Sequence, residues 1–229
     1  EGLEAVRVRP GMYIGSTDQR GLHHLIYEIL DNAVDEAMAG YCERVDISIS
    51  EDGWITVVDN GRGIPIDKHE KTGKSALETV MTTLHAGGKF GGGAYKVTGG
   101  LHGVGGSVVN ALSSDLRAEV RRQGWMYSQE YVRGKPTGNL AKGDKTTEHG
   151  TTISFKPDQE IFPVIEYDFD LLISHFKEIA YLNKGLEIAF SSQWHTERRK
   201  GDIDRTYFFD GGIAEGHAVT FAGGLAASG

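Results

Sequence analysis

The chain has 229 residues, 39% hydrophobic and 24% charged, which is typical of a soluble globular protein with one large domain or two small ones. The net charge of −8 argues against a main nucleic-acid-binding face, and no stretch is long and apolar enough to span a bilayer. The single cysteine, Cys42, excludes an internal disulfide and indicates a reducing, cytoplasmic location. The chain opens without methionine inside a patterned segment, so we expect a fragment with no secretory leader.

The first part of the chain predicts an irregular segment, a helix and two strands. Residues 7–15 are punctuated by Pro-Gly and are expected to be irregular. Apolar residues recur with a helical period over 22–39, and Gly40 ends the helix. Strands are predicted at 45–50 and 54–59, joined by a Glu-Asp-Gly turn.

The remainder predicts further helices and strands. Ser75 and Glu78 have the spacing of a capping box at the start of a helix over 75–84. Further helices are predicted at 104–112 and 170–182, strands at 115–122, 125–133 and 151–156, and a hairpin from 186–192 with 205–209. The fold class is therefore α+β, with a mostly antiparallel sheet and helices over one face. Residues 214–229 are rich in Ala and Gly and weakly patterned, so we expect a tail that is disordered or forms the start of a further domain.

A glycine-dense run, HAGGKFGGGAYKVTGGLHGVGG, occupies residues 85–106 between two predicted helices. Glycine at this density lets backbone N–H groups approach a ligand closely, and a polyphosphate suits such a loop best. The run has neither a Walker A ending nor a strand-led G-x-G-x-x-G, which excludes the two commonest phosphate loops.

The first predicted helix carries polar residues beside its apolar stripe. Glu28, Asn32 and Glu36 are spaced i, i+4, i+8 and lie on neighbouring turns. A solvated acidic face would explain them. A carboxylate beside an amide is also what metal-assisted hydrolysis needs, because the amide oxygen can bind Mg²⁺ and the carboxylate can deprotonate a water.

A second polar position follows the second strand, at Asp59-x-Gly61-x-Gly63. Asp59 shares a strand face with Val57, so burial of one predicts burial of the other. A buried aspartate needs donors, and the exocyclic amine of a base would be one, although a turn aspartate that caps the glycines is an equally simple explanation. Thr151 and Ile153 repeat the arrangement on a later strand.

Lys89 and Lys96 flank the inner glycines and are natural phosphate partners, although solvated lysines are the simpler interpretation. His102 immediately precedes a helix start, where backbone N–H groups and the helix dipole favour an anion. For His85 and His102 we favour structural hydrogen bonds over metal binding, because no Cys/His cluster accompanies them.

Taken in order, Glu-x-x-x-Asn, Asp-x-Gly-x-Gly, the glycine run and Gly150-Thr151 resemble the GHKL (Bergerat-fold) ATPases. Within that superfamily the chain is similar, from about residue 1 to 212, to the ATPase domain of bacterial type IIA topoisomerases. That family comprises the B subunits of DNA gyrase and the ParE subunits of topoisomerase IV, and AGYC at 39–42 is nearer the gyrase pattern. The motifs that carry the resemblance are RPGMYIG at 9–15, DNAVDEAMAGYC at 31–42, DNGRGIP at 59–65, LHAGGKF at 84–90 and GGLHGVGGSVVNAL at 99–112.

The resemblance implies a two-layer GHKL sandwich over residues 1–213 and roles for individual residues. Glu28 would be the general base, Asn32 would hold Mg²⁺, and Asp59 would accept from the adenine amine with support from Thr151. The further ATP-site residues implied are Glu36 with its ion-pair partner Arg62, Gly61, Gly63, Ile64, Pro65, Lys89, Tyr95, Gly100, Leu101, His102, Gly103, Val104 and Gly105. The implied apolar floor and inhibitor contacts are Ile29, Ala33, Val57, Val80, Met81, Arg122 and Ile153.

The family also implies partners. ATP closes a dimeric gate that captures a DNA duplex, and the partner protein is the gyrase A subunit or ParC. Duplex DNA would be bound through other domains, and aminocoumarin inhibitors would compete with ATP. Because the dimerising N-terminal arm and the second domain's lysine are not in this sequence, we expect a monomer that binds ATP with very low turnover.

Three alternatives stay open. A chaperone-type or MutL-type GHKL ATPase would keep the fold, but LHAGGKF and GGLHGVG argue against it. A sensor kinase is disfavoured because those enzymes lack a hydrolytic base at the position of Glu28. A non-catalytic module that senses ATP would not need Glu28 at all.

Overall fold

A computed structural model of the chain describes residues 2–68, 73–84, 105–198, 206–210 and 218–219. The helices are α1 Glu4–Val8, α2 Gly11–Ile14, α3 Gln19–Met38, α4 Ala76–Thr82, α5 Gly105–Ala111, α6 Phe169–Leu182 and α7 Gln193–Arg198. The strands are β1 Arg44–Ile49, β2 Ile55–Asp59, β3 Ser113–Arg122, β4 Trp125–Val132, β5 Lys135–Pro136, β6 Ala141–Lys145, β7 Gly150–Pro157, β8 Glu187–Ser192, β9 Thr206–Asp210 and β10 Ala218–Val219. The α+β class is confirmed.

The described strands form one sheet in the order β10-β9-β8-β1-β2-β7-β3-β4-β5, with β6 also pairing with β4. The β1–β8 pair is parallel and the other pairs are antiparallel. Strands β2 and β7 are therefore central neighbours although about ninety residues separate them, as the pairing of Val57 with Ile153 shows. This pairing brings the two predicted strand-end motifs together.

One face of the sheet is apolar and the other polar, as expected of an antiparallel sheet covered on one side. Val57, Ile153 and Ala118 are aligned across β2, β7 and β3, and all three are buried. On the opposite face, the Thr56 and Ser154 hydroxyls are 3.0 Å apart. The buried side chains of α3, α4, α5 and α6 join those of the strands in a single core.

Helix α3 forms because its apolar residues recur at helical spacing and Asp18 caps its start by accepting the Arg20 N–H. Its buried residues include Leu22, Leu25, Ile26, Ile29 and Leu30. Helix α4 begins as the capping box predicted, because the Ser75 hydroxyl accepts the Glu78 N–H at 3.0 Å. The predicted positions of both helices are confirmed.

The expectation of an irregular segment over 7–15 was wrong, because α1 ends and α2 lies within it. Pro10 stands at the N-cap of α2, where its missing N–H costs no helical hydrogen bond and its fixed φ suits the helix. Helices this short show no apolar period, so the sequence pattern did not reveal them.

At the other end of the chain the predicted pairing of 186–192 with 205–209 is confirmed as β8 with β9, but the connection contains α7, which was not predicted. Ala218–Val219 lies in the predicted tail and pairs with β9. The domain boundary at 213 stays a prediction. None of the described helices is long and apolar enough to cross a membrane.

The short helix α5 is fastened at its C-terminal end. Arg7 donates to the Ala111 carbonyl at 2.8 Å and to Asp158 Oδ2 at 2.8 Å. Asp158 is 2% exposed and is also paired with Arg133 at 2.9 Å. Because a buried carboxylate with two guanidinium partners is costly to disrupt, this cluster fixes the position of α5.

A buried histidine links α3 to α6 and predicts acid sensitivity. The Asp168 N–H donates to His23 Nε2 at 2.9 Å, which requires the neutral imidazole. Burial lowers the pKa of His23 from 6.5 to about 4. Its contribution to stability is therefore complete above about pH 6.5 and is lost as the pH falls towards 4.

Between about pH 6.5 and pH 4 the unfolding free energy of His23→Gln should therefore fall less than that of the parent chain. The difference should reach up to about 3 kcal/mol. Urea unfolding of both chains at several pH values measures it. The difference between the chains removes the contribution of all other titrating groups. Parallel pH profiles for the two chains would show that His23 does not titrate on unfolding.

Candidate active site

Helix α3 supplies one wall of the candidate site. Ile29 and Ala33 are buried in the core, and Glu28, Asn32 and Glu36 project from successive turns beside them. Glu28 is partly exposed, Asn32 is exposed and Glu36 is buried. The solvated-face interpretation therefore fits Asn32 alone.

Glu28 is held by a neighbour on its own helix. His24 Nε2 lies 2.9 Å from Glu28 Oε1, and the two side chains are 40% and 25% exposed. The hydrogen bond to Glu28 raises the pKa of His24. His24 thus donates to the carboxylate and fixes its orientation. His24 was not foreseen from the sequence, although its i,i+4 spacing from Glu28 was visible.

The other carboxylate oxygen of Glu28 faces the first turn of α5. A Cβ at position 105 would overlap Glu28 Oε2 and lie 3.2 Å from Glu28 Cβ. Glycine at 105 is therefore needed to seat the carboxylate against the α5 backbone. The acidic surroundings also affect Asp31, where burial and the charges of Glu28 and Asp35 raise the pKa to about 6.

Asn32 follows Asp31 on α3, and its amide side chain is exposed. A grouping of three or more His, Cys, Asp or Glu side chains that could hold a metal is absent from the described residues. Mg²⁺, however, typically takes one or two protein oxygens and fills its shell with water and phosphate oxygens. The exposed amide of Asn32 fits that donor set.

Asp59 ends β2 with its carboxylate turned inward. Oδ1 accepts the Gly61 N–H at 2.8 Å and the Thr151 N–H at 3.1 Å. Burial raises the pKa of Asp59, against the opposing effect of these two donors. The predicted turn cap is thus present at Gly61. The second hydrogen bond comes from Thr151 on the neighbouring strand, and a turn-capping aspartate alone does not require it.

Thr151 joins β7 to the Asp-Gly-Arg-Gly loop. Its hydroxyl accepts the Ile64 N–H at 3.3 Å while its own N–H is bound to Asp59. The preceding Gly150 has φ +125°, a conformation that L side chains rarely adopt. A Cβ there would overlap the Asp59 carbonyl oxygen and lie 3.0 Å from Asn60 Cα, so glycine permits this close approach.

The mouth of the site is organised around Arg62. Its Nη2 is 2.8 Å from Glu36 Oε1, and its backbone N–H donates to Glu36 Oε2 at 3.0 Å. The Arg62 guanidinium lies 3.9 Å from the centre of the Tyr41 ring. Arg122 donates to the Gly63 carbonyl at 2.7 Å, and His149 Nδ1 to the Gly61 carbonyl at 2.8 Å. The expected Glu36–Arg62 pair is confirmed, whereas Tyr41 and His149 were not foreseen.

The predicted apolar floor consists of residues that belong to or pack against the common core. Its buried members are Ile29, Ala33, Val57, Met81 and Ile153, and Val80 is partly buried. Ile64, predicted as a further ATP-site residue, is also partly buried and packs against the core. Pro65 follows at the loop end and is partly buried. The predicted residues Lys89, Tyr95, Gly100, Leu101, His102, Gly103 and Val104 lie outside the described residues, as do Lys96 and His85.

This geometry agrees with comparisons to known proteins. The family model described as "Histidine kinase-, DNA gyrase B-, and HSP90-like ATPase" matches residues 17–161. The chain belongs to this ATPase family. The match spans α3, β2 and β7, which carry Glu28, Asp59 and Thr151.

Within the ATPase family, similar proteins include several DNA gyrase B subunits. Identity is 56% over 94% of the chain to the DNA gyrase B subunit of Synechocystis. It is 55% over 93% of the chain for the Halalkalibacterium halodurans protein, and 54% over 94% for the Thermotoga maritima protein. The chain covers 20% of the length of the first relative and 33% of each of the other two.

Proposed function

We propose that the chain is the ATP-binding and ATP-hydrolysing domain of a type IIA topoisomerase, acting as part of a DNA gyrase B subunit. The observation that carries this proposal is the Glu28 carboxylate, oriented by His24 and seated against the glycine turn of α5. Family membership and the names of the relatives support it, and those names favour gyrase over topoisomerase IV with ParE.

In the proposed reaction Glu28 accepts a proton from a water molecule. The water oxygen forms a bond to the γ-phosphorus, the bond from that phosphorus to the β–γ bridging oxygen breaks, and ADP leaves with its electron pair. His24 keeps Glu28 in the orientation that receives the proton. Asn32 would hold Mg²⁺, which when bound neutralises charge on the phosphate oxygens.

The base would be recognised at the end of β2. Asp59 would accept the adenine amine, with Thr151 and Gly61 holding its carboxylate from the other side. Val57, Ile153 and Met81 would lie beneath the ring. The lysines and glycines of 85–104 would bind ribose and phosphates, and Arg62, Pro65 and Arg122 would form the mouth that aminocoumarin inhibitors contact.

The activity of the longer protein is proposed on the same grounds. ATP would close a homodimeric gate that captures a DNA duplex, and hydrolysis would reset the gate, with the gyrase A subunit as the partner protein. Duplex DNA would be bound by other domains. The described part of the chain carries a buried thiol at Cys42, which suits the reducing cytoplasm that we propose as its location.

The proposal is tested first at the base site. We expect Asp59→Asn to weaken ATP binding about 10- to 100-fold, because a hydrogen bond to a charged acceptor contributes about 1.5–3 kcal/mol. Isothermal calorimetry with ATP and Mg²⁺ measures the change. Asp144→Asn, at an exposed position of β6, should bind like the parent chain. An Asp59 variant with parental affinity, or a parent chain that does not bind ATP, overturns the proposal.

A further inference from the structure

The pairing of β2 with β7 ends one residue before the site. The last register pair is Val58 with Thr152, so Asp59 and Thr151 would come next. Instead, the Thr151 N–H donates to the Asp59 side chain at 3.1 Å. The backbone carbonyl of Asp59 therefore receives no ladder hydrogen bond from Thr151.

Arg121 supplies the missing donor from a third strand. Its Nη2 donates to the Asp59 carbonyl at 3.1 Å and its Nη1 to the Thr152 hydroxyl at 2.8 Å. Arg121 is paired with Gly150 in the β3–β7 register, and Asp59 lies on the other side of β7. The side chain therefore reaches across β7 beside Gly150, whose missing Cβ leaves room for the Asp59 carbonyl.

This guanidinium has few competing partners among the described residues. Its side chain is 15% exposed, and its ion pair with Glu148 is a 3.8 Å contact to a side chain that is 77% exposed. An exposed pair at that distance contributes little. The positive charge of Arg121 also opposes the rise in the pKa of Asp59 that burial causes.

We propose that Arg121 is a positioning residue for base recognition: it holds the Asp59 backbone so that the Asp59 side chain can take the Thr151 N–H and still face the adenine amine. The inference rests on the proposed function and adds to it a determinant of base specificity on the opposite face of the sheet. Without Arg121, the Asp59 carbonyl would compete for the Thr151 N–H, which would turn the carboxylate away from the base.

The test compares ATP with purine riboside triphosphate, which lacks only the amine. We expect the parent chain to bind ATP about tenfold more tightly. In Arg121→Met this ratio should fall at least about threefold, while the affinity for the amine-free nucleotide changes less than about twofold. Arg121→Lys should partly restore the ratio. Arg117→Met removes an arginine four residues earlier on the same strand face and should leave the ratio unchanged.

The inference is overturned if Arg121→Met weakens the binding of both nucleotides equally, so that the ratio of their affinities is unchanged. If Arg121→Met does not fold, Thr152→Val serves instead, because it removes the second hydrogen-bond partner of the guanidinium. An unchanged affinity ratio in both Thr152→Val and Arg121→Lys would then overturn the inference. Asp59→Asn distinguishes a failure of this inference from a failure of the proposed function. If it abolishes the ratio and Arg121→Met does not, the inference alone fails. If the parent chain shows no preference for ATP, base recognition by Asp59 fails as well.

Discussion

Replacing Glu28 by glutamine is expected to lower ATP hydrolysis at least about a hundredfold, the typical contribution of a general base, while ATP affinity stays within about threefold. The amide keeps the size of the side chain and its place between His24 and Gly105 but cannot accept a proton at neutral pH. ATP binding is retained because the adenine ring and the phosphates would be held by other residues. The effect therefore separates chemistry from binding.

Phosphate release from radiolabelled ATP, followed over hours, measures the change even if the parent chain turns over slowly. Glu51→Gln changes an exposed carboxylate in the turn between β1 and β2 and should hydrolyse ATP at the parental rate. A Glu28→Gln chain that hydrolyses ATP as fast as its parent would support the non-catalytic sensor instead. Loss of binding together with hydrolysis would assign Glu28 to nucleotide binding and contradict its role as base.

Replacing Gly150 by alanine is expected to lower the unfolding free energy by at least about 2 kcal/mol and to abolish adenine-dependent binding. The new Cβ would lie 2.9 Å from the Asp59 carbonyl carbon and 3.0 Å from Asn60 Cα, at a residue with φ +125°. Since these atoms are backbone, relief requires β2 and β7 to separate. Separation would break the bond between the Thr151 N–H and Asp59.

Gly138→Ala is the matched control, because a Cβ there meets no atom within 4 Å. Its unfolding free energy should stay within about 1 kcal/mol of the parent value. Urea unfolding and ATP calorimetry on both variants complete the comparison. Equal stabilities for the two alanine variants would mean that the approach of β2 to β7 at Gly150 is not tight in solution.

Much of this arrangement could be predicted from local patterns. The helical period of α3 predicted the shared face of Glu28, Asn32 and Glu36. Strand alternation placed Thr151 with Ile153, and both are buried. It also placed Asp59 with Val57, which is buried, while Asp59 at the strand end is partly buried. The predictions for α3 and for Thr151 succeeded because each depends on the period of a single element, whereas the burial expected of Asp59 is incomplete at the strand end.

The rest depends on which strands become neighbours. Arg121 reaches Asp59 because the sheet runs β2-β7-β3, and no local pattern contains that order. The stacking of Tyr41 on Arg62 likewise joins the end of α3 to a loop about twenty residues further along. His24 was overlooked for a different reason: its spacing from Glu28 was visible, but a histidine beside a carboxylate is also common on solvated helices.

The order of the strands in the sheet also determines which parts of the fold nucleotide binding stabilises. Glu28, Asp59, Arg121 and Thr151 come from α3, β2, β3 and β7, so no short segment can assemble the site alone. A ligand that binds only the assembled sheet stabilises it by mass action, by about 2.7 kcal/mol at a hundredfold excess over its Kd. Saturating nucleotide should thus protect the backbone amides of distant strands from hydrogen exchange. Conversely, a substitution that loosens the β2–β7–β3 ladder at any point should lower the apparent affinity for nucleotide without contacting the ligand.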